Sequence, residues 1–208
     1  MGARKRIALY GGTFDPVHSG HLEIARRVSE LFEIEKVLFV PAQVAPHKVG
    51  RPVTEPIHRY AMLALATQND PRLLISTFEL DAPDRRYTVD TVEHFQRVLG
   101  ESTELFFIMG ADSWSEISTW REWERLLRIV NHIVVTRPGY EVDQTLPSRA
   151  ARVFFTDAVM KDVAATSIRG LAAAGRFEEL VQLVPEPVAE YIRKYELYRD
   201  TNETRLHS

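Results

Sequence analysis

Residues 7–10, Ile-Ala-Leu-Tyr, form an unbroken apolar run that stops at Gly11-Gly12 and leads soon after into a helical spacing of apolar residues. A strand that is apolar at consecutive positions is covered on both faces, the usual condition in a parallel sheet flanked by helices. The pattern recurs. Apolar runs at 37–40, 73–78, 105–109, 129–136 and 153–156 read as further strands, and 105–109 is the most apolar. Between them, Leu22, Ala25, Val28 and Phe32 predict a helix over 20–32. Thr54 reads as the cap of a helix that carries Ile57, Ala61 and Leu65 and ends at Thr67. Val89, Val92, Phe95 and Leu99 predict a helix over 88–99, stopped by Gly100. Another helix is expected over 120–127, and three more close the chain at 167–174, 177–183 and 187–198. The polar stretch 139–149 reads as a long surface loop, and 200–208 as a fraying tail. The alternation predicts an α/β fold, a mostly parallel sheet with helices on both faces.

The chain has 208 residues, 26 basic and 29 acidic, for a formal charge of −3. That length suits one domain with a substantial core, and the balance of charge gives no general attraction to nucleic acid. With no Cys, disulfides, thiolate metal sites and a Cys nucleophile are excluded. No run of about 18 apolar residues suggests a membrane span, and residues 7–10 are too short for a signal-peptide core of about 7–15 residues. The expectation is a cytoplasmic enzyme or binding protein.

In an open parallel sheet, ligands bind beyond the carboxyl ends of the strands. Residues 11–22, GGTFDPVHSGHL, lie at such an end. Gly11 and Gly12 let a nucleotide approach the main chain closely. The start of the next helix offers N–H groups and a positive dipole end to phosphate, and Thr13 adds a hydroxyl. His18 and His21, three apart, share one side of a helical turn. With a reference pKa of about 6.5, both rings could be held protonated by a polyphosphate, and would stabilise charge that builds during transfer. An ordinary glycine turn beside two surface histidines fits the same spacing. The dinucleotide fingerprint G-x-G-x-x-G and the phosphate loop G-x-x-x-x-G-K-[ST] are both absent. The histidines lack a third local ligand, so no metal site is expected.

GGTFDPVHSGHL resembles the signature of the HxGH nucleotidyltransferase superfamily, and residues 7–198 resemble bacterial nicotinate-nucleotide adenylyltransferases. PAQVAPHK at 41–48, YTVDT at 87–91, IMGADS at 108–113, Trp120 and Trp123, TRPG at 136–139 and TSIR at 166–169 follow in that family's order. The resemblance implies a Rossmann-like doubly wound fold, with residues 1–208 as a single nucleotidyltransferase domain whose helical C-terminal portion spans 167–198. It implies transfer of AMP from ATP to nicotinate mononucleotide by direct in-line attack, giving deamido-NAD and pyrophosphate. Mg²⁺ would arrive on ATP. The partners would be ATP and the mononucleotide, with no nucleic acid and no membrane, and a homo-oligomer is left open.

Carried over by position, His18, His21 and Arg169 are the expected catalytic residues. With them, Gly11, Gly12, Thr13, Phe14, Gly110, Asp112, Thr166 and Ser167 would bind ATP, Asp112 through the ribose hydroxyls. Gly12, Thr13, His47, Lys48, Thr88 and Trp120 would bind the mononucleotide, with Thr88 at a helix start facing the carboxylate and Trp120 stacked on the pyridine ring. Arg137 is a weaker phosphate candidate. Asp112 reads equally as a helix N-cap, Trp120 as a core residue, and Asp90 and Thr91 as residues that only begin a helix. Ala164 and Ala165 stand where the family has serines, which removes two neutral hydrogen bonds of about 0.5–1.5 kcal/mol each and leaves the triphosphate to the backbone and Arg169.

Other acceptors are the alternatives. Nicotinamide mononucleotide fits the same motifs. Phosphopantetheine is disfavoured by His18 (that family has Thr there), YTVDT and Trp120. A cytidylyltransferase would need a late segment that is missing. A non-catalytic nucleotide-binding regulator would not need the histidine pair, and a nicotinamide-dependent oxidoreductase would need the missing fingerprint.

Overall fold

A computed structural model describes residues 4–43, 53–82, 87–136, 151–157 and 163–199. The elements are β1 (Lys5–Gly12), α1 (Ser19–Leu31), β2 (Lys36–Pro41), α2 (Pro56–Thr67), β3 (Leu73–Ile75), α3 (Thr88–Leu99), β4 (Thr103–Gly110), α4 (Ala111–Ser115), a 3-10 turn (Ile117–Thr119), α5 (Trp123–Ile129), β5 (Asn131–Val135), β6 (Val153–Thr156), α6 (Ala165–Ala173), α7 (Phe177–Leu180) and α8 (Glu186–Lys194). The polar stretch 139–149 and the tail 200–208 lie outside the described residues.

All strand pairs are parallel, in the order β3-β2-β1-β4-β5-β6. This is the doubly wound order, which reverses direction between β1 and β4 and opens a crevice at their carboxyl ends. The strands are apolar at consecutive positions because each face has its own core. Ala8, Tyr10, Phe39, Ile108 and Ile133 pack against Leu22, Ala25 and Val28 of α1, Met62 and Leu63 of α2, and residues of α6, α7 and α8. Leu9, Val40, Phe107, Met109 and Val134 pack on the other face against Val92 and Phe95 of α3 and Leu126 and Leu127 of α5. Register places Tyr10 between Phe39 and Ile108.

Several expected boundaries move for local reasons. β3 ends at Ile75 rather than 78, because Ser76 Oγ takes the Phe78 N–H at 3.1 Å and Thr77 O takes the Asp81 N–H at 2.8 Å, which turns the chain off the sheet. Trp120 is extended and Glu122 has φ +51°, so α5 starts at Trp123 instead of Trp120 and runs to Ile129, delaying β5 to Asn131. α6 begins two residues earlier than expected, at Ala165, and α8 stops at Lys194.

The largest correction concerns α2. Its buried face is Arg59, Met62, Leu63 and Thr67, while Ile57 is 65% exposed. Thr54 is not the cap. Glu55 holds that place, with Pro56 setting the first turn, because both main-chain groups of Thr54 are engaged elsewhere, its N–H on Asp15 Oδ2 at 3.3 Å and its carbonyl on Arg59 Nε at 2.9 Å.

On β5, His132 is fully buried opposite Phe107. Burial pushes its pKa down to about 4, with the Val130 backbone opposing. The unfolded chain takes up a proton near pH 6.5, which the folded ring refuses until about pH 4. The stability this gives is therefore complete above pH 6.5 and is lost as pH falls towards 4, by up to about 3 kcal/mol. Thermal melts between pH 7 and pH 4 should fall less steeply for His132→Leu than for the parent. Parallel curves would refute this assignment.

Candidate active site

The chain between β1 and α1 forms the floor of the switch-point crevice. Ala42 N–H bonds the Gly12 carbonyl at 2.9 Å, holding the ends of β1 and β2 together. A Cβ on Gly12 would lie 2.8 Å from the Phe14 ring. That ring has nowhere to go. Phe14 sits at φ +50°, 2% exposed, with ring centres of Tyr10, Phe39 and His21 at 5.5, 5.3 and 5.0 Å. Its side chain belongs to the core, so only its main chain is available to a nucleotide. Thr13 is half-buried, and its carbonyl accepts Arg59 Nη1 at 2.9 Å.

His18 is the N-cap of α1, 7% exposed. Its N–H donates to His21 Nδ1 at 3.3 Å, and the two rings stack with centres 3.7 Å apart. An Nδ1 that accepts a hydrogen bond carries no proton, so His21 here is the neutral tautomer with its donor at Nε2. Two imidazolium rings at this separation would repel. The doubly protonated pair expected from the spacing therefore requires this cap to break. The Ser19 N–H is also engaged, on Leu183 O at 2.9 Å, so the start of α1 offers fewer N–H groups than its sequence suggests.

Arg169, in the second turn of α6, reaches into the same loop. Its Nη1 donates to Asp15 O at 2.7 Å and its Nη2 to Thr166 Oγ1 at 3.1 Å. Thr166 and Ser167 are exposed in the first turn of α6, and its N-cap Ala164 supplies no side-chain acceptor. Across the crevice, Gly110 caps α4, and Asp112 is an exposed residue of its first turn rather than the cap itself. Trp120 is half-buried and edge-on to Phe107 at 6.3 Å, packed on the core, with a buried Nε1–H that finds no acceptor among the described residues. Thr88 opens α3, where Asp90 accepts the Tyr87 N–H at 3.2 Å at the helix start and buried Thr91 donates to Glu79, in the segment after β3, at 2.7 Å. His47, Lys48 and Arg137 lie outside the described residues.

Three residues that sequence reasoning passed over hold this loop. Asp15 is 4% exposed and Arg59 1%. Arg59 bonds the carbonyls of Thr13, Thr54 and Gln43, and burial lowers its pKa against the pull of Asp15. Asp15 Oδ1 accepts the Tyr198 hydroxyl at 2.8 Å. The available signal was the i, i+3, i+4, i+8 stripe of α2, on which Arg59 stands in line with Met62, Leu63 and Thr67.

A cavity of about 400 Å³ lies at the opposite end of the sheet, lined by Arg4, Gln96, Gly100, Arg128, Asn131 and Arg152. It lies at the amino ends of the strands, away from the carboxyl ends where ligands bind in an open parallel sheet, so the switch-point crevice is the better candidate.

A family model described as cytidylyltransferase-like matches residues 9–171. A probable nicotinate-nucleotide adenylyltransferase of a Thermoanaerobacter species is 42% identical over 207 residues, covering 95% of this chain and 96% of that one. The chain belongs to the nicotinate-nucleotide adenylyltransferase family. A second member, from Thermus thermophilus, is 41% identical over 194 residues, covering 93% of this chain and all of its own. Among solved structures, the Plasmodium falciparum nicotinic acid mononucleotide adenylyltransferase complexed with NaAD superposes with a TM-score of 0.78 at 20% identity, covering 93% of this chain and 97% of that one. At that identity the likeness establishes the shared fold. Among the described residues, no helix is long and apolar enough to cross a membrane.

Proposed function

We propose that the chain transfers AMP from ATP to nicotinate mononucleotide. An oxygen of the mononucleotide 5′-phosphate attacks the α-phosphorus of ATP. The bond from that phosphorus to the β-phosphate oxygen breaks, and pyrophosphate leaves with the electron pair. The observation that carries the reading is the convergence of Arg169 and the His18–His21 pair on one short loop at the sheet's switch point. No nucleophilic side chain is needed, because positioning and charge stabilisation suffice for such a displacement.

In this reading His18 and His21 Nε2–H donate to oxygens of the triphosphate, and Arg169 carries the fixed positive charge. The main chain at Gly11, Gly12, Thr13, Phe14 and Gly110 lines the nucleotides, Asp112 takes the ribose hydroxyls, and Thr166 and Ser167 at the start of α6 meet the phosphates. Trp120 and Thr88 face the pyridine ring and its carboxylate, and His47 and Lys48 the mononucleotide phosphate. Magnesium comes as part of the substrate MgATP. Such a cation is held mainly by phosphates and water and needs few protein ligands.

Purified protein given ATP and Mg²⁺ with nicotinate mononucleotide, nicotinamide mononucleotide or phosphopantetheine in turn should form deamido-NAD fastest. Product from phosphopantetheine alone would overturn the reading.

A further inference from the structure

We propose that Tyr198, acting through Asp15, is a positioning residue that sets the orientation of Arg169 over the β1–α1 loop. The inference rests on the active-site reading above and adds to it a residue from the C-terminal turn.

Asp15 is the junction. Its carbonyl accepts Arg169 Nη1 at 2.7 Å, its Oδ1 accepts the Tyr198 hydroxyl at 2.8 Å, and its Oδ2 accepts the Thr54 N–H at 3.3 Å. Main chain and carboxylate belong to one residue, so a shift of the carboxylate is passed to the carbonyl that aims the guanidinium through only a few bonds. Asp15 is 4% exposed and lies beside Phe14 at φ +50°, so its carboxylate depends on protein partners rather than water to hold its place. A carboxylate buried this deeply needs donors on its oxygens, and Tyr198 supplies one from 183 positions away.

The C-terminal turn is built to deliver that hydroxyl. The chain leaves α8 after Lys194, and Glu196 and Tyr198 then adopt φ +50° and +69°. Residues with a Cβ enter this left-handed region at a cost, and such conformations gather where the surroundings hold them for a purpose. The Leu197 N–H returns to Ile192 O at 3.1 Å, which folds the turn back onto α8. Burial and the charge of Asp15 together raise the Tyr198 pKa above that of an ordinary phenol, which favours the O–H form that donates to Asp15.

A structural role alone would let Tyr198→Phe lower stability while leaving the chemistry of Arg169 untouched. A positioning role makes the two residues non-additive. Tyr198→Phe keeps the ring and removes only the donor. It should lower kcat about tenfold in the parent, yet less than about twofold in an Arg169→Ala background, where no guanidinium remains to be aimed. Effects that multiply across the two backgrounds would overturn the proposal, as would a parent kcat unchanged by Tyr198→Phe. Hydrogen exchange without substrates separates this proposal from the reading beneath it. Amides of the loop after β1 should exchange about tenfold faster in Tyr198→Phe, whichever acceptor the enzyme proves to use. Unchanged exchange there would count against the positioning role even if deamido-NAD is formed.

Discussion

His18→Ala should lower kcat by about 10²–10³, the usual consequence of removing one donor aimed at charge that develops in the transition state. Two features of the structure make the expectation specific. The imidazole is 7% exposed and stacked on His21 at 3.7 Å, so its direction is fixed before substrate arrives. It also occupies the N-cap position of α1, where Ala is among the less favoured residues, so His18→Ala weakens the helix start as well. His18→Asn separates the two effects. Asn is a favoured cap but lacks the imidazole, so it should preserve Tm and still show the fall in kcat. Steady-state rates at saturating ATP and mononucleotide, measured beside thermal melts, provide the check. A variant with parental kcat would take His18 out of the chemistry.

The sheet was legible because its central strands lie between two helical layers. Consecutive apolar residues at 7–10 and 105–109 suit a strand covered on both faces, and here both faces are covered, by separate cores. The starting face of α1 was legible for the same reason, since Leu22, Ala25 and Val28 are all buried. The helix at α2 shows where such reading stops. A stripe through Ile57, Ala61 and Leu65 is the more apolar choice, but Ile57 is exposed and the buried stripe begins at Arg59. A guanidinium belongs on a buried face only when acceptors meet it there. Those acceptors are main-chain carbonyls of Thr13, Gln43 and Thr54, on segments that converge only in the folded state. The same holds for Asp15 and Tyr198, each unremarkable until the chain closes on itself. The site motifs themselves were visible as residue types in order, but the state of the histidine pair was not, because it depends on a cap bond from His18 N–H to His21 Nδ1 that spacing does not specify.

Arg59→Met should be the most destabilising single change within the described residues that touch the site. Met matches the length of the arginine stem and suits the apolar neighbours Met62 and Leu63, so packing is largely preserved. What is lost is the guanidinium. Three carbonyls lose their donor, and the buried Asp15 carboxylate loses a nearby positive charge. Removing one partner from a buried charged network costs about 3–5 kcal/mol, because the remaining groups stay desolvated without compensation. In a chain of this size that corresponds to a fall in Tm of roughly 6–20 °C. Arg59→Lys should recover only part of it, since a single ammonium cannot meet three carbonyls in the directions a planar guanidinium does. The ordering parent, Lys, Met in thermal melts is the expected result. A Met variant melting within about 2 °C of the parent, a difference worth about 1 kcal/mol or less, would show that the β1–α1 loop is held by its aromatic packing on Phe14 and not by the arginine beneath it.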